Sequence, residues 1–239
     1  MMSVLPATRA PHFSVYSMIT STEASSGLSD VAGSKRASNC GSAPFLSPHT
    51  QVRLPLPVCT GAHGVVVPMV NTRQEALDAV AACRYPPVGN RSVGGVAHAL
   101  NFQATPAEYY AKVNDEVLIV LQCEHIDAVN IADEIYSVPG IDAIFVGPND
   151  LTYSMRSADG SFPDKETFEA ALTRIREAAQ RNKGPCGLHV FSAADAIRRA
   201  REGWQFIAVN SELKMMLEGA SDLTKKVHGD PHPEDLAKY

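Results

Sequence analysis

Three observations predict an α/β fold of the TIM (β/α)8 barrel type, with parallel strands inside and helices outside. Short apolar or β-branched runs alternate with segments of helical periodicity between residues 61 and 220, and such alternation implies parallel strands joined by crossover helices. The run Val65–Val67 is continuously β-branched, as expected of a strand buried on both faces. Residues 117–154 read as strand, helix and strand, with an acid just beyond each strand, Glu124 and Asp150. In a parallel sheet or barrel those carboxyl ends share one face, where ligands bind. A length of 239 residues suits one domain of this size.

The elements follow in order. Residues 1–50 hold 11 serines against 8 in the other 189, so they read as a low-complexity, disordered segment ahead of a domain at 51–239. Within it, Phe13–Thr20 offers one short strand. Val52–Leu54 is a candidate strand and Val65–Val67 a firm one. Thr72-Arg73-Gln74-Glu75 is a capping box that opens a helix running to Cys83, and Pro86-Pro87 stops it. Gly94 and Gly95 permit positive φ in the loop that follows. Thr105, Pro106 and Glu108 form a second helix start.

Val117–Leu121 is the next strand, and Ile126, Val129, Ala132 and Ile135 mark one helical stripe that ends at Pro139-Gly140. Ile144–Val146 delivers Gly147-Pro148-Asn149-Asp150. A helix over 164–182 carries Phe168, Leu172, Ile175 and Ala179 on one side. Cys186–Val190 is a strand, Ser192 caps a helix that Gly203 ends, and Gln205–Val209 is the last strand. A helix over Ser211–Gly219 and a polar tail from Lys225 complete the chain. Five strands are firm and Val52–Leu54 makes a sixth, whereas a (β/α)8 barrel has eight. The barrel is therefore expected to be incomplete at its N-terminal end.

Composition excludes several classes. A net charge of −5 offers no basic surface for nucleic acid, and no apolar run is long enough to span a bilayer. The five cysteines are widely spaced, with no CxxC pair, and read as thiols in a reducing, cytoplasmic setting.

Gln122-Cys123-Glu124, followed by GIDAIFVGPNDLTYSM at 140–155, resembles the paired QxE and GPxDL motifs of the HpcH/HpaI aldolase family, part of the citrate lyase β-subunit-like group. The stretch GAHGVVVPMVNTRQEALDAVAACRYPPVGNRSVGG at 61–95 resembles the family's neighbouring strand, helix and loop. Phe206–Leu213 is similar to its FIAVGSDL, with Asn210 for Gly and Glu212 for Asp. Gln51–Pro55 resembles a VRxP strand end. The family's DxEH motif, credited there with proton transfer, has no visible counterpart in residues 1–60.

The resemblance implies that Glu124 and Asp150 bind a divalent metal (Mg2+ or Mn2+, with Co2+ a further candidate) that chelates a 2-oxo acid such as pyruvate. Two carboxylates on one rim suit a hard cation that keeps several waters. The competing reading is that both acids only cap the helices that follow them. Gln122 is a candidate for hydrogen bonding to the oxo acid or a metal water, or alternatively to a loop backbone. The N–H groups of Gly147 and Asn149 are candidates for the substrate carboxylate, and Pro148 has no N–H to give. Arg53 is the candidate for the developing negative charge; Arg91 is a second arginine with a structural reading. Among the histidines, His125 reads as a helix-start residue or a third ligand, His49 as a stand-in base, and His63 and His189 as hydrogen-bonded core or rim residues. No lysine lies in any assigned strand, which argues for a metal over an imine as the electron sink.

The expected function is metal-dependent cleavage of a 4-hydroxy-2-oxo acid to pyruvate and an aldehyde, by a homo-oligomer whose C-terminal helices are exchanged between subunits. The alternatives are an inactive or truncated member that binds metal or oxo acid without turnover, and a citrate- or malyl-CoA-type lyase.

Overall fold

The computed structural model describes residues 12–14, 62–94, 96–100 and 102–229. The segment 15–50, the candidate strand Val52–Leu54, Arg53 and His49 lie outside the described residues, as do Gly95 and the chain beyond residue 229.

Six strands form one sheet: β1 (His12–Ser14), β2 (Gly64–Val67), β3 (Leu118–Gln122), β4 (Ala143–Val146), β5 (Cys186–Val190) and β6 (Phe206–Val209). Their order is β1-β6-β5-β4-β3-β2, and every pairing is parallel. Among the described residues the sheet is open, with β1 and β2 at its edges. The five firm strands therefore stand as expected. The short strand expected over Phe13–Thr20 is overlapped by β1, which lies against β6, at Phe13 and Ser14 alone, and residues 15–20 lie outside the described residues.

Helices α1 (Arg73–Cys83), α2 (Ala97–Leu100) and α3 (Pro106–Glu116) follow β2. Both capping boxes form: the Thr72 side chain accepts from the Glu75 N–H, and Thr105 from that of Glu108, with Pro106 in the first turn. Between β3 and β4 the single expected helix is two, α4 (Ile126–Asn130) and α5 (Ala132–Tyr136). Ile131 leaves helical geometry at φ −117, ψ 27, and the two short helices then bury Ala128, Val129, Ala132, Ile135 and Tyr136 together. The apolar spacing reads as one helix because it does not register a kink at a β-branched residue.

Helix α6 (Pro148–Ser154) follows β4, α7 (Lys165–Arg181) precedes β5, and α8 (Ala193–Arg201) precedes β6. Leu172, Ile175 and Ala179 are buried on α7 as the stripe requires. The last helix, α9 (Glu212–His228), is longer than expected. Gly219 lies inside it, Leu223 and Val227 continue an i, i+4 apolar row, and Gly229 at φ +82 ends it. No helix among the described residues is long and apolar enough to cross a membrane.

Alternation along the strands separates two faces. Ile119, Leu121, Cys123, Ile144, Val146, Cys186, Leu188, Val190 and Ile207 pack with the helices in the main core. Val120, Ala143, Phe145 and Ala208, with Phe206, form a smaller cluster on the other face. That inner face carries Gln122 at the carboxyl end of β3.

Candidate active site

Glu124 follows β3 by two residues and is 3 % exposed. Its Oε1 accepts the backbone N–H of Met69 at 2.9 Å, and its Oε2 accepts the Gln122 amide at 3.0 Å. Met69 sits just past β2 at φ +54, an uncommon conformation for a side-chain-bearing residue. Gln122 is itself buried. Glu124 is thus held from two neighbouring strands.

Gly147, at the end of β4, closes the site from the other side. A Cβ built there would stand 2.1 Å from Glu124 Oε2, so any side chain at 147 would push the carboxylate from its place. Gly147 is also the N-cap of α6 and offers no side-chain cap, while Pro148 occupies the first turn. Asp150 lies in that turn, exposed, and its charge reaches Glu124. Burial first, and the Asp150 charge in addition, push the Glu124 carboxyl up to about 7, against the opposing pull of the Met69 N–H.

The capping alternative fails for Glu124. Helix α4 is capped by His125, whose side chain accepts the Asp127 N–H at 3.2 Å, and Glu124 makes no such bond. The same observation places His125 at the helix start. Arg91 is fully buried, with its guanidinium 4.3 Å from the centre of the Tyr85 ring and one N–H directed to the Tyr109 hydroxyl at 3.2 Å, a structural anchor for its loop. His63 stacks edge-on against Phe102 near the amino end of β2, beside a cavity of about 450 Å3 at the opposite end of the strands from Glu124. The structure therefore brings together Gln122, Glu124, Gly147 and Asp150, with Asn149 exposed on the same turn; Arg53 is outside the described residues.

The donor set fits a hard divalent cation. It is all oxygen, it contains a buried carboxylate with no positive charge beside it among the described residues, and it has a second carboxylate whose charge reaches the first. Among the described residues no three His, Cys, Asp or Glu side chains converge, so the remaining positions would belong to water and ligand. Sequence reasoning missed the Met69 N–H and the steric role of Gly147. Neither carries a signal in residue type, since one depends on φ and the other on the distance between two strands.

The comparisons with known proteins now have a geometry to meet. Residues 47–219 match the family model described as HpcH/HpaI aldolase/citrate lyase. The chain belongs to the HpcH/HpaI aldolase/citrate lyase family. It is 36% identical over 164 residues to the 5-keto-4-deoxy-D-glucarate aldolase of Salmonella arizonae, covering 68% of this chain and 62% of that enzyme. It is 36% identical over 195 residues to the hydroxypyruvate/pyruvate aldolase of Roseovarius nubinhibens, covering 76% and 73%. The chain thus spans under two thirds of the Salmonella enzyme's length. Among solved structures, the HpcH/HpaI aldolase of Desulfitobacterium hafniense superposes with a TM-score of 0.66 at 26% identity, covering 75% of this chain and 69% of that one. Macrophomate synthase superposes at 0.60 and 28% identity, covering 76% and 66%.

Proposed function

We propose that the protein is a divalent-metal-dependent carbon–carbon lyase that cleaves 4-hydroxy-2-oxo acids to pyruvate and an aldehyde, or runs the reverse addition. The observation that carries this reading is Glu124: a carboxylate buried at the carboxyl end of a parallel sheet, clamped by the Met69 N–H and Gln122, with the Asp150 charge near it. Its relatives include enzymes named as aldolases.

Glu124 and Asp150 would hold the cation. When bound, it would act as a Lewis acid toward the 2-oxo group. Gln122 fixes the Glu124 carboxylate through Oε2 and presents its amide on the inner face, where the oxo acid would lie. Gly147 leaves the space that a side chain would fill. The N–H groups of Gly147 and Asn149 would receive the substrate carboxylate, and Arg53 would meet the developing charge. Self-association is part of the same reading: among the described residues α9 has no buried side chain and exposes Leu213, Met216, Leu217, Leu223 and Val227.

Pyruvate release from 4-hydroxy-2-oxo acids, with Mg2+ or Mn2+ and then with chelator, tests the proposal. Release that disappears with chelator supports it. A protein that takes up the cation but releases no pyruvate would be a binding member of the family and would end the lyase reading.

A further inference from the structure

Accepting the aldolase reading above, we propose that His189 is the proton-transfer residue of this site. Cys186, Leu188 and Val190 of β5 pack into the helix-side core, so His189 projects from the opposite face, the face of Gln122 and Phe145. The register pairs Val146 with Leu188, which sets His189 level with Gly147 on the adjoining strand, about 4.8 Å away between chains. Gly147 is the residue whose missing Cβ makes room for Glu124 Oε2. An imidazole therefore stands one strand over from the carboxylate clamp, at the end of the sheet where α6 begins.

The ring is fixed in tautomer as well as in place. Its Nε2 lies 2.9 Å from the Asn210 carbonyl oxygen. A carbonyl only accepts, so Nε2 donates to it, and in the neutral ring Nδ1 then keeps its lone pair. Asn210 adopts φ +59, a conformation asparagine tolerates better than most residues, and the turn it makes brings its carbonyl to the ring. Phe191 packs edge-on against the imidazole at 4.6 Å between centroids, and the Lys214 ammonium lies 4.5 Å over Phe191. His189 remains half-buried, open enough to meet a ligand.

In the cleavage direction, Nδ1 takes the proton of the substrate's C4 hydroxyl. The O–H electron pair becomes the second C–O bond of the aldehyde as the C3–C4 bond breaks. The C3–C4 pair passes to the pyruvate enolate, and return of a proton to C3 gives pyruvate and neutral His189.

Oxaloacetate supplies the control. Its C3–C4 cleavage yields the same enolate with carbon dioxide as the other product, and no hydroxyl proton has to be removed. The wild-type protein and His189→Gln are assayed with Mn2+ on 4-hydroxy-2-oxopentanoate and on oxaloacetate. The expected result is a loss of about 100-fold or more in kcat for aldol cleavage, with decarboxylation kept within about threefold. Decarboxylation retained above the rate with Mn2+ alone also shows that the variant folds and holds its cation. Cleavage by His189→Gln at the wild-type rate, or equal loss of both reactions, overturns the assignment of His189 while leaving the aldolase reading in place. A wild-type protein inert on both substrates overturns the aldolase reading itself and His189 with it.

Discussion

Two buried charged residues stand at opposite ends of the same strands, and the protein treats them differently. At the amino end, Arg84 is 6 % exposed and donates to the carbonyls of Asn114 and Val117, the latter at 2.9 Å. Asp142 lies 3.6 Å from it and accepts the Ile119 N–H at 2.7 Å. At the carboxyl end, among the described residues, Glu124 receives the Met69 N–H and the Gln122 amide and has another acid, Asp150, near it. Arg84 is neutralised by its own chain and ties α1, α3, β3 and β4 together. Among the described residues no positive charge balances Glu124; burial raises its pKa and a cation would relieve the cost.

The contrast breaks most visibly at Arg84. Arg84→Met removes the donor from two carbonyls and the partner from Asp142, and should cost about 3 kcal/mol, read from chemical denaturation. Cation binding by the protein that remains folded should be unchanged. A stability loss below about 1 kcal/mol would mean the amino end is not held by this arginine.

Glu124→Gln should act in the opposite sense. The folded carboxyl, at about 7, lies above its value of 4.5 in the unfolded chain. The folded state then holds the extra proton between these limits, so its contribution is present below pH 4.5 and is lost as pH rises through about 7. At pH 8 without cation, the variant should be more stable than wild type by up to about 3 kcal/mol, while calorimetry should show its Mn2+ affinity falling at least tenfold. Equal stability at pH 8 would show that Glu124 is not penalised by burial.

Gly147→Ala places a methyl group against Glu124 Oε2. The expected cost is about 1–3 kcal/mol, because the carboxylate or the β4 end has to move. A weaker Mn2+ isotherm should accompany it, and unchanged affinity would separate the glycine from the site. The smallest effect is reserved for Asp133→Asn, which breaks the exposed Arg181–Asp133 pair at 2.7 Å. Its denaturation midpoint should stay within the scatter of the wild-type curve.

Local signals were legible. Thr72 with Glu75, and Thr105 with Glu108, are contacts within one turn, and both helices start where those residues say. The pairing of Gln122-Cys123-Glu124 with Gly147–Asp150 was legible too, because strand ends are marked by the switch from apolar to polar residues. The break at Ile131 was not, since it depends on which side chains α4 and α5 bury together. The reach of α9 beyond Gly219 was obscured by reading one glycine as a terminator.

By itself, the order of residues determined the alternation of strands and helices, the parallel arrangement that follows, and the identity of the two acids at the ends of β3 and β4. These rest on periodicity and on neighbours a few positions apart. Tertiary structure alone decided that Glu124 is buried, that the Met69 N–H and Gln122 clamp it, that Gly147 is there for want of a Cβ, and that His189 shares its face. Those facts depend on the spacing of strands far apart in sequence, and a carboxylate's charge is costly or cheap only according to what packs around it.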